Sequence, residues 1–335
     1  MNMEKIYRKA LALDFLTADE ALVLYESGPL DELMSLAWEL RQKHVPGRTV
    51  TWQIDRNVNI TNVCISGCKF CNFHCKPHDR ERAYVTTIDQ YVRKIDETLA
   101  LGGDQLLLQG GLHPKLGIDF YENLFRELKR LYPALKLHAL GAPEVAHIAR
   151  ISSLDDETTL RRLMDAGLDS LPGAGAEILD NGVRRAISPG KPDADRWLSV
   201  MRTAHRLGLP TSATMMYGHV ETPRQRVEHL IKIRDLQAEC PPGRYGFVAV
   251  DFPQQRNPAR KGRRRRLLLS ARIPAHHRAE PHRALRYPPH TGILAHRRQA
   301  DGSDRPARRS RRHGLDHDRG KRRLVGRSPQ PARCR

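Results

Sequence analysis

The sequence predicts an α/β chain built as a TIM-type (βα) barrel, apparently incomplete, with helices in front of it and a disordered basic tail behind. Two observations carry the barrel. Short apolar runs alternate with amphipathic stretches from about residue 50 to residue 250, and most runs open into a segment that combines glycine with a polar side chain. Alternation of this kind means βα units and a parallel sheet. A third observation limits the fold: the composition changes abruptly between about Val250 and Arg256, where strand-like sequence gives way to arginine.

Residues 1–48 read as a helical segment of two or three helices. The start, MNMEKIYRKALALDF, is amphipathic and lacks the long apolar stretch of a signal peptide. Thr17 with Glu20 three residues on is a capping-box signature. An apolar, β-branched stretch over 50–63 predicts the first strand, ending at Cys64. A helix over 87–101 starts at Thr87 and closes at Gly102–Gly103. Strand and helix then alternate: 105–109 with 119–132, 135–140 with helices near 143–166, and 169–173 with 193–207. The series continues with 212–216 and 223–238 and stops at the strand 245–250. About six such units over 49–252 fit a barrel. An open doubly wound sheet is the competing architecture, but no G-x-G-x-x-G follows the first strand. No run approaches the 18 or so apolar residues that span a membrane.

The charge divides along the same boundary. The chain has a formal net charge of +19, yet residues 256–335 alone hold 25 Lys+Arg against 5 Asp+Glu. The first 255 residues are therefore near neutral. In the segment 253–335, arginine, proline and histidine dominate and Tyr287 is the one aromatic residue. Such a segment has too few large apolar side chains to offset the entropy of ordering, so disorder is expected. The runs Arg263–Arg266 and Arg308–Arg312 would contact nucleic acid without sequence preference. Out-of-frame reading of GC-rich DNA yields this composition, and a shifted reading frame is the expected origin of the tail.

The chemistry is concentrated in CISGCKFC, which places Cys64, Cys68 and Cys71 in a C-x3-C-x2-C spacing with Phe70 before the last cysteine. Three thiolates so close together can hold three corners of an iron–sulfur cube and leave the fourth iron open to a ligand. Two other readings compete. Zinc prefers four ligands, and Cys75, His74 or His78 offers a fourth. With the basic tail, that reading describes a zinc-containing, nucleic-acid-binding protein. An electron-transfer cluster would form if Cys75 joined the others, although the long first gap departs from the ferredoxin run. Neither explains Phe70 or the segments downstream. Four of the six cysteines crowd into 64–75, a metal-site pattern rather than a disulfide framework, which predicts a reducing cytoplasm.

Active sites of βα barrels gather at the C-terminal ends of the strands. The cysteine loop leaves its strand there, as do Gln109–Pro114, His138, Pro172–Glu177 and Met216–Glu221. Any one such segment is commonly just a turn. Four at successive strand ends, on the rim that carries the cysteines, define a site. Its candidate proton-transfer groups are His113, Glu144, Glu177, His219 and Glu221, and the pattern does not choose among them. Glu177 and His219 are the preferred pair for holding a nucleoside, with Glu144 the third catalytic candidate. The plainer alternative makes Glu221 and His229 ordinary helix residues and His138 a satisfied barrel histidine.

The runs DRNVNITNVCISGCKFCNF, LLLQGGLHPKLGIDFYENLFRELK, AGLDSLPGAGAEIL and ATMMYGHVET resemble the radical S-adenosylmethionine enzymes of the futalosine route to menaquinone. The likeness is greatest to the enzymes that cyclise dehypoxanthine futalosine; the aminofutalosine-forming and deazaflavin-precursor synthases are relatives. The resemblance covers roughly 1–250 and stops where the tail begins. It implies a 4Fe–4S cluster on Cys64, Cys68 and Cys71, with S-adenosylmethionine on the open iron. It implies that Gln109, Gly110 and Gly111 contact the methionine end of that cofactor and that Phe70 packs near its adenine. It also implies a 5′-deoxyadenosyl radical that takes hydrogen from the ribose of a nucleoside substrate, fed by an electron donor such as flavodoxin or ferredoxin. Cys75 departs from the expected pattern and reads as a spare thiol.

Overall fold

The structure, a computed structural model, describes residues 2–48 and 52–239 together with the backbone of 245–251. The tail assigned to 253–335, with its expected disorder, nucleic-acid contacts and shifted frame, lies outside the described residues.

Three helices lead: α1 (Met3–Leu11), α2 (Ala18–Ser27) and α3 (Leu30–His44). Thr17 and Glu20 form the expected capping box on α2, each side chain bonded to the other's backbone N–H. The sheet then starts with β1 (Asp55–Asn59), followed by α4 (Ile88–Ala100), β2 (Gln105–Gln109), α5 (Ile118–Leu131) and β3 (Lys136–Ala139). Helices α6 (Ala142–Ile151), α7 (Asp156–Asp165), α8 (Asn181–Ile187) and α9 (Ala194–Arg206) come next. β4 (Thr211–Tyr217), α10 (Pro223–Ala238) and β5 (Tyr245–Asp251) complete the described elements.

Strand order decides between the two predicted architectures. β1, β2 and β3 pair in parallel and in chain order, as do β4 and β5. Parallel bridges His138↔Ser170 and Leu171↔Thr211 connect the two sheets through one short stretch of chain. The order therefore never reverses. Parallel crossovers are right-handed almost without exception, so strands added always on the same side leave all helices on one face. That is the winding of a barrel, whereas a doubly wound sheet has a switch point.

Burial agrees. Val58, Leu106, Leu108, Leu137, Ala139, Leu171 and Ala213 share one buried cluster with residues of α4 to α7, α9 and α10. On α5 the buried positions Ile118, Tyr121, Leu124, Phe125 and Leu128 recur at three and four residues, the helical period, and form the stripe facing the strands. The opposite face of the strands is polar apart from Leu107. Register aligns Asn57, Leu107 and His138 in one row and Asn59 with Gln109 in the next. His138 Nδ1 lies 2.7 Å from Ser170 Oγ on that face.

Two local expectations change. The first strand is shorter than the apolar run, because after Ile60 the chain turns away and bridges Thr61 to Val85 and Val63 to Cys75 instead. The stretch 169–173 contributes only Ser170 and Leu171 to the sheet, since Pro172 has no N–H to donate. The helices expected near 143–166 are α6 and α7, separated at Ser152–Leu154 and restarted by Asp155, whose carboxylate accepts the Thr158 N–H.

Candidate active site

The cysteine loop is laminated onto the exit of β2. Ile60 N–H donates to Gln109 O at 2.8 Å, Gly111 N–H to Thr61 O at 2.8 Å and Ile65 N–H to Leu112 O at 3.2 Å. Gly111 has to be glycine here, because a Cβ would lie 2.2 Å from Val63 O and 2.8 Å from Cys64 Cβ. The contact brings Leu112 N–H to within 3.3 Å of Cys64 Sγ. Ser66 Oγ sits between two thiols, 3.0 Å from Cys64 Sγ and 3.3 Å from Cys68 Sγ. Donors aimed at sulfur suit thiolate ligands, whose charge they stabilise. Burial pushes the Cys68 thiol up, against the opposing pull of Lys191 and the Ser66 hydroxyl.

Cys71 is half-buried, with its carbonyl taking the His74 Nδ1–H at 2.8 Å. Cys75 belongs to the fold. Its N–H donates to Asn62 O, its carbonyl accepts the Cys64 N–H, and its thiol lies 3.4 Å from Asn62 Oδ1. Zinc gathers its donors about 2 Å from one point; among the described residues no three His, Cys, Asp or Glu side chains converge that way. A cubane spreads its thiolates over separate irons. The loop, with three thiols and donors aimed at two of them, fits such a cluster.

The second wall is the glycine segment after β2. Gly110 N–H donates to Glu144 Oε1 at 3.0 Å. Glu144 stands in the first turn of α6 and is buried, and loss of solvation raises its carboxyl to about 8 despite the Gly110 N–H and Lys191. Gln109 is half-buried on the polar face beside Asn59. His113 is half-buried and bonded away from this group: its Nδ1 accepts the Lys115 N–H and its carbonyl accepts the His147 Nε2–H.

The third wall is the loop 172–177 and its supports. Glu177 adopts a left-handed backbone, φ 48°, unusual for a residue with a side chain. Its carboxylate receives Lys191 Nζ at 2.7 Å, and its carbonyl accepts the Met216 N–H at 2.9 Å. Burial pushes Glu177 up, but the cations Lys191 and Arg184 outweigh it and hold the carboxyl below its usual range. Phe70 packs against Ile178, Val183, Ile187 and Met216, with Lys191 Nζ 5.3 Å from its ring centroid.

Arg184, 2% exposed, fixes this loop by donating to the carbonyls of Gly175, Ala176 and Pro192 at 2.5–3.0 Å. Leucine at this position takes the donor from the buried carbonyls of Gly175 and Ala176 and from the half-buried one of Pro192. Arg184→Leu is expected to lower unfolding stability by about 2–3 kcal/mol. That appears as a fall in melting temperature of roughly 4–12 °C; a melt within 1 °C or so of the parent would contradict the clamp.

His219 is placed on the β4–α10 loop, its Nε2–H donating to Met216 O at 2.8 Å and its Nδ1 3.1 Å from Glu221 Oε2. Glu221 precedes α10 rather than lying in it. It accepts the N–H groups of Gly218 and His219 and the guanidinium of Arg226, which also reaches Tyr25 of α2 at 2.6 Å. His229 is wholly buried; desolvation lowers it to about 4, and its Nδ1 accepts the Leu179 N–H.

The structure thus brings Cys64, Cys68, Phe70, Gly110, Gly111, Glu144 and Glu177 onto one rim, joined by residues that sequence reasoning missed: Ser66, Arg184 and Lys191. The run ISPGKP around Lys191 carried a signal, a proline–glycine turn after a short helix, but not one tied to the cysteines.

Residues 58–233, more than half of the chain, match the model of the Radical SAM superfamily. The chain belongs to that family. Its members are enzymes, and membership brings two cofactors, a 4Fe–4S cluster and S-adenosylmethionine. Cyclic dehypoxanthine futalosine synthase of Streptomyces coelicolor is 41% identical over 76% of this chain and 64% of its own. A 5-amino-6-(D-ribitylamino)uracil–L-tyrosine 4-hydroxyphenyl transferase of Methanosarcina mazei is 39% identical over 72% of this chain and 62% of its own. The radical SAM chain thus spans less than two thirds of either relative. Among solved structures, the FeFe-hydrogenase maturase HydG superposes with a TM-score of 0.58 at 17% identity, covering 75% of this chain and 54% of that one. Methylornithine synthase PylB gives 0.53 at 17% identity, over 74% and 68%. Both support the fold alone. No helix among the described residues is long and apolar enough to cross a membrane.

Proposed function

We propose that Cys64, Cys68 and Cys71 hold the cluster and that the enzyme closes dehypoxanthine futalosine to cyclic dehypoxanthine futalosine, a step in menaquinone biosynthesis. The observation that carries this reading is the lamination of the three-cysteine loop onto Gly110–Gly111, within a segment 41% identical to the Streptomyces synthase. Bound there, the cofactor pair would supply radical chemistry able to abstract a hydrogen atom from the substrate's ribose.

The chain's own residues orient and shield. Gln109, Gly110 and Gly111 present backbone and amide groups to the methionine end of the cofactor, and Glu144 fixes Gly110. Phe70, backed by Ile178 and Met216, covers the adenine side and excludes water. In this reading Glu177 on the rim and His219 on the adjoining β4–α10 loop are assigned to the nucleoside, and Asn57, His138 and Ser170 on the polar face are assigned to its hydroxyls. Glu144, neutral below about pH 8, is the candidate for holding a proton beside the Gly110 segment. In this reading 1–48 is a helical segment, 49–252 is the barrel, and a cytoplasmic donor such as flavodoxin or ferredoxin supplies the electron.

Two further readings stand beside this one. Transferase relatives at 39–40% identity favour movement of a 4-hydroxyphenyl group onto a ribitylaminouracil. An aminofutalosine-forming enzyme would consume the adenosyl group into its product. One experiment separates all three. The anaerobically reconstituted chain is given dithionite, S-adenosylmethionine and each substrate set, and products are read by mass spectrometry. Free 5′-deoxyadenosine with a cyclised nucleoside two mass units lighter supports the cyclase; arylation of the uracil, or an adenosyl-bearing product, replaces it. Cys64→Ser, Cys68→Ser and Cys71→Ser are each expected to abolish iron binding and turnover. Cys75→Ser is expected to keep both, and a Cys75 variant without iron would reassign the ligand set.

A further inference from the structure

Lys191 is buried, charged and not needed to cap or pair anything in the secondary structure. Its side chain is 16% exposed and that of its partner Glu177 11%. Removing two charges from water costs several kcal/mol each, and a buried pair commonly does no more than break even against apolar side chains of the same volume. Stability therefore gives little reason for this pair to be here.

Its placement gives one. The turn that carries Lys191 is fastened to the cysteine loop at two points. Lys69 N–H donates to Ile187 O at 2.8 Å and Gly190 N–H to Ser66 O at 3.0 Å. The second contact is so close that a Cβ on Gly190 would sit 2.6 Å from Ser66 O. Ser66 in turn touches the thiols of Cys64 and Cys68. Behind the turn, Arg184 grips Pro192 O. The backbone of Lys191 is thus set against the loop before its side chain extends. The ammonium then lies over Phe70, between Cys68 and Cys71 in sequence, and reaches Glu177 Oε1 at 2.7 Å.

From this geometry, and resting on the cluster-binding reading above, we infer that Lys191 tunes the iron–sulfur cluster: its buried ammonium makes the cluster easier to reduce, and Glu177 positions it. Reduction adds one electron's negative charge to the cluster, supplied by a low-potential one-electron donor. A fixed cation nearby stabilises the reduced state and raises its potential. Glu177 works in the opposite direction.

The test is the cluster's midpoint potential, titrated with mediators and followed by electron paramagnetic resonance of the reduced state in the reconstituted full chain. Lys191→Met is expected to move the midpoint to more negative values, and Lys191→Arg to leave it near that of the parent. The double variant Lys191→Met/Glu177→Gln keeps the shape while removing both charges and avoids a stranded carboxylate. It is expected to shift in the same direction as Lys191→Met, and no further. A double variant with the parent's midpoint would overturn the inference, even if the single variant shifts, because the shift would then belong to the unpaired Glu177. A parent chain that takes up no cluster sinks the preceding reading and this one together, whereas an unmoved midpoint in a chain that carries its cluster sinks this one alone.

Discussion

Gly111→Ala is expected to cost about 100-fold or more in turnover while leaving the helices intact. The added methyl would lie 2.2 Å from Val63 O, 2.7 Å from Val63 C and 2.8 Å from Cys64 Cβ, all on backbone or at its root. No side chain can swing aside to relieve it, so the β2 exit and the cysteine loop must separate. Overpacking of this kind costs about 1–3 kcal/mol, which the fold survives. The loop does not survive unchanged. The hydrogen bonds from Gly111 to Thr61 and from Leu112 to Cys64 Sγ cross this contact and hold the first thiol in place. Displacements near 1 Å at a reacting centre cost roughly 10²-fold in rate. The neighbouring glycine provides the comparison: a Cβ on Gly110 meets its nearest atoms at 3.1–3.3 Å, so Gly110→Ala asks for tenths of an ångström only. Iron content after reconstitution, circular dichroism and turnover distinguish the two. A Gly111→Ala chain with the parent's iron and rate would show that the lamination does not place the ligands.

The fold was legible because its cause is repetitive. Alternating apolar strands and amphipathic helices recur along the chain, and caps such as Thr17 and Thr87 mark their starts. The failures are local and physical. Pro172 reads as part of a strand by its neighbours, yet removes the donor that a strand needs there. Helix α8, only Asn181–Ile187, is too short for its periodicity to stand out, although Asp180 caps it. The site divides in the same way. Cysteine spacing and strand-end glycines are written in consecutive residues and can be read directly. Lys191 and Arg184 act on residues 8–14 positions away through folds of the loop between them, and no sequence period records that. His219 shows the converse. It stands in a rim segment as expected, but its ring is occupied by Met216 O and Glu221, which only the three-dimensional loop reveals.

Glu144 is expected to make the cofactor-free chain lose stability as pH rises. Burial lifts its carboxyl in the folded state to about 8 from an ordinary value of 4.5. Between those two values the folded chain holds a proton that the unfolded chain has released. Stability then falls with increasing pH, by about 1.4 kcal/mol per pH unit at the steepest. Below 4.5 both states are protonated, and above about 8 both are ionised, so the dependence is confined to that window. The whole effect is on the order of 5 kcal/mol, enough to move a melting temperature by roughly 10 °C or more. Other groups titrate in the same range, so the measurement is a difference. Glu144→Gln mimics the neutral carboxyl, keeps an oxygen for the Gly110 N–H and cannot ionise. The variant should melt close to the parent at pH 5 and progressively above it towards pH 8, with no further gain beyond. Parallel melting curves for the two chains across that range would mean that Glu144 is ionised in the fold. The Gly110 amide would then be held by a charge rather than by a neutral acid, and the carboxyl would have no proton to give the site at neutral pH.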